Sequence, residues 1–128
     1  MKRQKTIILF IIVASFLQSC FDLHENRTYV VGKYFIEADP GIPLKTLYLD
    51  LGDGNAIGRI VDVKRVGHTP KLIFAETYDG YYIFEIAKDN KDLNSSEIIG
   101  LPKSHEYFLR VLDSLNIKDF EFDYYLEK

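Results

Sequence analysis

The chain has 128 residues, of which 47% are hydrophobic and 27% charged, so it is too apolar for a disordered protein and has the length of one domain. Three of the 16 basic residues and none of the 19 acidic residues precede Cys20, so residues 20–128 keep 13 positive and 19 negative charges. That balance argues against nucleic acid as a partner and against electrostatic docking on an anionic membrane, and the single cysteine excludes an internal disulfide framework and multi-cysteine zinc sites.

The N-terminus has the layout of a signal peptide. Lys2, Arg3 and Lys5 form a basic segment, and residues 7–17 form an apolar run interrupted only by Ser15. As a helix this run would be about 16 Å long, whereas a bilayer core of about 30 Å needs roughly 20 residues. The run is therefore too short to span a membrane and has signal-peptide proportions.

The sequence Leu-Gln-Ser-Cys follows at residues 17–20. A branched apolar residue at Leu17, a small residue at Ser19 and a cysteine next to it resemble the lipobox of bacterial lipoproteins. In that family the thiol receives a diacylglycerol, the chain is cut just before the cysteine, and the new amino group is usually acylated. The resemblance implies that residues 1–19 are a lipoprotein signal peptide and that lipid on Cys20 anchors the product at the cell membrane or outer membrane. An ordinary secretory signal and a simple membrane anchor are the alternatives.

Residues 20–28 are mostly polar and are predicted to be a tether, which leaves a single globular domain over residues 29–128. Strand signals then follow one another, because alternating, β-branched and aromatic segments are bounded by turn residues. The predicted strands are residues 29–37, 45–51, 56–64, 71–78 and 81–88, and residues 97–101 are predicted to be a short strand or an extended segment. Asp53-Gly54-Asn55 and Asp79-Gly80 predict hairpins between neighbouring strands, and residues 65–70 are predicted to be a loop.

One helix is predicted near the C-terminus. Ser104 is a suitable N-cap, Asn116 a suitable C-cap, and the intervening apolar stripe has helical spacing. The stripe consists of Phe108, Val111, Leu112 and Leu115. Residues 120–127 alternate between apolar and polar side chains and predict a half-buried final strand. The expected fold class is α+β: mainly an antiparallel β meander, with one C-terminal-region helix packed on the sheet and a final strand.

No catalytic motif, metal site or cofactor site is predicted. His68 is the best single candidate for a functional histidine, because the predicted loop that holds it is a common location for function. Tyr81 and Tyr82 are weak binding candidates, because adjacent strand residues point to opposite faces and at least one should be partly exposed. Asp50, Asp53 and Asn55 superficially resemble calcium ligands, but two carboxylates and an amide are too few oxygen ligands and no glutamate closes the segment, which favours a simple turn.

The mature part resembles a family of small, uncharacterised bacterial lipoprotein domains over roughly residues 30–117. The family pattern is a strand, a Val-Gly turn, an apolar strand, a Tyr-Tyr-Ile strand, an Ile-x-Gly-x-Pro segment and a short helix that ends in Ile. The matching segments are Val66-Gly67, Leu72-Ile73-Phe74-Ala75, Tyr81-Tyr82-Ile83, Ile98-Ile99-Gly100-Leu101-Pro102 and Leu115-Asn116-Ile117. The resemblance implies no activity, because the family has no assigned chemistry to carry over.

The sequence therefore predicts a membrane-anchored lipoprotein, most simply a binding or interaction module in the cell envelope with an envelope protein as partner. An immunity or inhibitor protein is one form of this hypothesis. A small envelope hydrolase that uses His68 with Asp62 or Glu76 is one alternative. A structural subunit of an envelope complex, with an exposed apolar patch that bears Tyr81 or Tyr82, is the other.

Overall fold

Seven strands of the described chain form one antiparallel sheet, whose first six strands pair in sequence order. The computed structural model describes residues 27–38, 41 and 44–125, so Cys20 and the predicted signal peptide lie outside the described residues. The strands are β1 (Thr28–Val31), β2 (Tyr34–Ala38), β3 (Lys45–Gly52), β4 (Asn55–His68), β5 (Leu72–Thr77), β6 (Tyr81–Glu85) and β7 (Tyr124–Tyr125). The helices are α1 (Ser95–Ile99) and α2 (His105–Ser114), and a 3-10 turn occupies Ile86–Lys88. The expected α+β meander is confirmed at this level.

Tight turns set the register of the first four strands. The single strand predicted over residues 29–37 is wrong, because the chain reverses at Gly32 (φ 54°) and β1 pairs back onto β2. The predicted Asp53-Gly54 turn is confirmed: both residues have positive φ, as a two-residue hairpin of the primed type requires. The folded part also includes Arg27, whose guanidinium lies 3.9 Å from the centre of the Phe35 ring.

β4 is the longest strand and continues through most of the predicted loop at residues 65–70. Residues 63–68 pair with β5, and Arg65 and Val66 also face β7 on the other side. The loop prediction was wrong because β4 and β5 form a hairpin with a short turn at residues 69–71, and because β7, distant in the sequence, flanks β4 on the other side. Gly67 is required there by close packing, since a Cβ at this position would lie 2.5 Å from the Phe120 ring.

The sheet separates two apolar cores. The first is built on β1 to β6 and includes the fully buried residues Leu47, Val66, Ile73 and Ala75. The second lies on the opposite face and consists of Phe74, Tyr81, Phe108, Leu112 and Phe122. Phe74 and its neighbours Ile73 and Ala75 belong to different cores because successive strand residues point to opposite faces.

α2 forms as predicted. The Ser104 side chain accepts a hydrogen bond from the Tyr107 N–H (3.1 Å), and Phe108 and Leu112 are the buried residues of the helix. Asn116 adopts φ 58°, and the Ile117 N–H donates to the Leu112 carbonyl (2.9 Å), which is the bond of a left-handed helix C-cap.

α1 replaces the short strand predicted over residues 97–101, and that prediction was wrong. A capping box begins the helix, because the Asn94 N–H donates to the Glu97 side chain (2.7 Å) and Asn94 caps the first turn in return. Gly100 ends it with φ 65°. Ile98 and Ile99 pack against the first core.

The C-terminal strand is shorter than predicted. Only Tyr124–Tyr125 are paired, and the predicted end of this strand beyond residue 125 lies outside the described residues. Phe122 is buried and Phe120 half-buried, because both pack against the Phe108 ring instead of joining a ladder. The tip of the β5–β6 hairpin is Tyr78-Asp79 and not Asp79-Gly80, since the Thr77 N–H donates to the Gly80 carbonyl (2.8 Å).

Candidate functional site

A groove runs along the outer edge of β6, where α2 lies on one side of the strand. Its apolar walls come from Leu72, Ile83, Ile98, Val111 and Leu115, and its volume is about 380 Å³. A second hollow of about 430 Å³, between Pro70 and Ile117, shares Leu72, Glu85 and Leu115 with the first. The two hollows therefore form one continuous surface, here named the edge groove.

The edge groove exists because the apolar stripe of α2 is wider than the sheet surface that it covers. Phe108 and Leu112 are buried on the sheet, and Val111 is half-buried beside them. Tyr107 and Leu115 remain 40% and 46% exposed and line the groove. An amphipathic helix normally buries its apolar residues, so Tyr107 and Leu115 form an apolar surface that α2 leaves open.

Charged side chains stand at the rim of the edge groove. Lys88 Nζ lies 3.2 Å from Glu85 Oε1, and both side chains are more than half exposed. Lys71 is also exposed next to the second hollow. An apolar floor with an almost balanced charged rim suits a polypeptide better than a phosphate-bearing ligand.

Tyr81, predicted as a binding residue, belongs to the second core. Its ring stacks on Phe108 with centroids 4.7 Å apart and lies 5.4 Å from His105. Burial first, and then the charge of Glu76, raises the pKa of Tyr81. Arg65 pairs with Glu76, and its guanidinium lies over the Phe122 ring of the second core, 4.4 Å from the ring centre. At 9% exposure, Tyr81 does not supply the exposed apolar patch expected of a structural subunit.

Tyr82 lies on the opposite face, as the strand alternation predicts. It is half-buried against the first core, and burial together with the charge of Asp79 raises its pKa. It lines a separate pocket of about 300 Å³ near Ile99 and Ser95, where the Ser95 hydroxyl donates to the Gly58 carbonyl (2.8 Å). Tyr82 therefore supports α1 more directly than it presents a binding surface.

His68 ends β4 instead of lying in a loop. Its Nε2 lies 3.6 Å from Asp123 Oδ2, and its Nδ1 lies 3.3 Å from the Thr69 carbonyl. Glu76 lies opposite Arg65 on the neighbouring strand. Arg65 precedes His68 by three residues, so the backbone positions of Glu76 and His68 are about 10 Å apart along the strand direction. Asp62 is about 20 Å from His68 by the same spacing. The structure therefore brings His68 together with neither Asp62 nor Glu76.

The sequence analysis missed a buried ionic network. Arg59 and Asp89, whose side chains are 1% and 0% exposed, meet at 2.8 Å (Nη2–Oδ1) and 3.0 Å (Nε–Oδ2). Arg59 also donates to the carbonyls of Asn90 (2.7 Å) and Leu93 (2.8 Å). Tyr34 O–H donates to Asp89 Oδ2 at 2.6 Å, and burial with this bond raises the pKa of Tyr34. The network fixes the segment before α1 over the first core.

The hairpin carboxylates behave as turn residues. Asp50 accepts hydrogen bonds from the Gly52 N–H (2.8 Å) and the Tyr29 hydroxyl (2.7 Å), and these bonds lower its pKa. Over residues 27–38, 41 and 44–125, no cluster of three or more His, Cys, Asp or Glu side chains could hold a metal ion. In the same residues no helix has the length and apolar character needed to cross a bilayer.

No protein-family model, curated protein or solved structure matches the chain. The resemblance to small lipoprotein domains therefore stays a prediction. The edge groove is one surface of the described chain with the features of a binding site.

Proposed function

We propose that the protein is a lipid-anchored protein of the bacterial envelope whose β-rich domain binds a partner protein. The edge groove carries the binding part of this proposal, because an apolar trough with a charged rim is the usual composition of a protein-recognition surface. The lipobox-like sequence at residues 17–20 carries the anchoring part. An immunity or inhibitor protein would be one instance of such a module.

The anchor would act by raising local concentration. Each buried methylene contributes about 0.8 kcal/mol, so two or three acyl chains on Cys20 would hold the domain stably at the membrane. A tethered domain meets membrane partners at a high effective concentration, so a modest groove affinity is sufficient. This mechanism needs no catalytic group.

The anchoring proposal is tested by replacing Cys20 with serine. We expect wild-type protein in the membrane fraction, with the mass of residues 20–128 plus acyl chains, and Cys20→Ser either soluble or unprocessed. Ser19→Ala is the matched control, because it keeps a small residue before the cysteine and should leave mass and fractionation unchanged. Wild-type protein that retains residues 1–19 or an unmodified thiol would refute the proposal.

A further inference from the structure

The backbone N–H and C=O groups of every second residue in β6 point away from β5, toward the outer side of the sheet. In an antiparallel pair, hydrogen-bonded residues alternate with residues whose N–H and C=O groups point outward. The bonds that fix this alternation between β5 and β6 are Thr77 N–H to Gly80 O (2.8 Å) and Ile86 N–H to Lys71 O (2.9 Å). The N–H and C=O of Ile83 and the N–H of Glu85 therefore point to the outer side of the sheet.

The start of this outer edge is already paired. Tyr81 and Lys103 exchange two backbone bonds, Tyr81 N–H to Lys103 O (2.9 Å) and Lys103 N–H to Tyr81 O (2.7 Å), in an antiparallel bridge. The chain then leaves the edge to begin α2 after Ser104. Beyond the bridge, no strand of the described residues pairs with the outer side of β6. A row of unpaired backbone groups is a template for a further strand.

We propose that the edge groove binds an extended segment of a partner protein, which adds to the sheet as a strand at Ile83 and Glu85. This inference rests on the proposed function and specifies how the partner is recognised. Backbone bonds to Ile83 would supply the affinity, and alternate side chains of the segment would point into the groove. Those on the α2 side would contact Val111 and Leu115, so apolar residues are expected there.

Two features favour a single extended segment over a second copy of the chain. Ile98 of α1 and Val111 of α2 both line the groove, although α1 packs with the first core and α2 with the second. The two helices therefore border the edge on both sides, so a single strand about 4.8 Å from β6 would lie between them, whereas a second copy would bring its own helices against them. Glu85 and Lys88 also neutralise each other at the rim, so this pair has no net charge that would require a charged partner and is compatible with the uncharged backbone of an extended segment.

Glu85 offers a substitution that blocks the edge and spares the fold. Its φ of −86° and ψ of 123° are close to those of proline, and Phe84 before it is in a strand, as the residue before proline prefers. Glu85→Pro removes an N–H that the β5–β6 ladder does not use. Glu85→Ala is the matched control, because it removes the carboxylate and its ion pair with Lys88 but keeps the N–H.

The probe is a phage-displayed library of random linear peptides of about eight residues, selected on the full-length protein in detergent. We expect enriched peptides to alternate apolar and polar residues and, as synthetic peptides, to bind Glu85→Pro about tenfold more weakly than wild type. Glu85→Ala should bind within about threefold of wild type, since an exposed ion pair contributes little. Hydrogen exchange should show new protection of the Ile83 and Glu85 amides when peptide is bound.

Three results would overturn the inference. These are failure to enrich any peptide, equal binding to wild type and Glu85→Pro, and peptide binding that leaves the Ile83 amide unprotected. Self-association that protects the same amides without peptide would assign the edge to a second copy and also overturn it. Circular dichroism of both Glu85 variants checks that they are folded. The Cys20→Ser fractionation is independent of the edge, so failure here would leave the anchoring proposal standing.

Discussion

The ion pair of Arg59 and Asp89 gives the sharpest test of how this fold is stabilised. Both side chains are almost completely buried and share a two-bond contact, and Arg59 has two further carbonyl partners. Asp89→Asn preserves the shape of the side chain but leaves a guanidinium without a counter-ion in a dry site. Loss of one partner of a buried pair costs about 3–5 kcal/mol, because the other charge stays desolvated.

That cost is large against the whole stability of a small domain, which is about 5–15 kcal/mol. Tyr34→Phe should cost less, about 1.5–3 kcal/mol, because it removes one hydrogen bond to a charged group and leaves the ion pair intact. The exposed pair of Glu85 and Lys88 supplies the control, and Lys88→Ala should change the free energy of unfolding by less than about 1 kcal/mol.

Urea unfolding followed by circular dichroism measures all three variants. A lower midpoint with an unchanged dependence on denaturant would show that stability itself changed. The double variant Arg59→Met/Asp89→Asn should be more stable than the sum of the single effects predicts, by about 2 kcal/mol, because no unpaired charge remains. If Asp89→Asn costs no more than Lys88→Ala, the reasoning about a dry, paired charge is refuted.

Three further predictions concern packing and pH. Gly67→Ala should cost about 1–3 kcal/mol of stability, because its Cβ would lie 2.5 Å from the Phe120 ring. Gly58→Ala in the same strand is the control and should change stability by less than about 0.5 kcal/mol, because the nearest atom to its Cβ would be 3.7 Å away. Equal melting temperatures of the two variants would contradict this prediction. Phe108→Ala, at the centre of the aromatic cluster, should cost about 3–5 kcal/mol in urea unfolding. The pKa of Tyr34 is raised above its ordinary 10.0, so the stabilisation that the protonated Tyr34 hydroxyl gives to the fold is complete below pH 10 and is lost as the pH rises further. Tyr34→Phe should therefore reduce the loss of stability at alkaline pH. An unchanged loss would contradict the assignment to Tyr34.

Local signals allowed α2 and the β3–β4 turn to be predicted from the sequence. The Ser104 cap, the stripe that includes Phe108 and the left-handed Asn116 act within a few residues of each other, and so does the Asp53-Gly54 turn. The capping box of Asn94 and Glu97 is also a local signal, although residues 97–101 were predicted to be extended. Local chemistry therefore determined element type wherever it was given full weight.

Contacts between distant residues determined what the sequence did not reveal. β4 continues past Lys64 because its second half pairs with β5 across a short turn and because β7, about sixty residues further along the chain, flanks Arg65 and Val66 on the other side. Arg59 and Asp89 are thirty residues apart, and no pattern around either of them indicates a buried pair. Strand alternation predicted that at least one of Tyr81 and Tyr82 is partly exposed. It did not indicate that Tyr81 is the buried one, because its pairing with Lys103 and its stacking on Phe108 depend on where α2 folds back. The edge groove has the same origin, since it requires two helices on opposite sides of one strand.

The order of strand pairing also has a kinetic consequence. Each of the strands β2 to β6 joins its immediate predecessor through a short connection, and hairpins of this kind form in about 1–10 μs. The β4–β7 pair is different, because Arg65 and Tyr125 are sixty residues apart and the loop between them must close first. We therefore expect the meander to assemble early and β7 to dock on β4 last. A truncation that removes β7 should then leave the earlier strands able to pair.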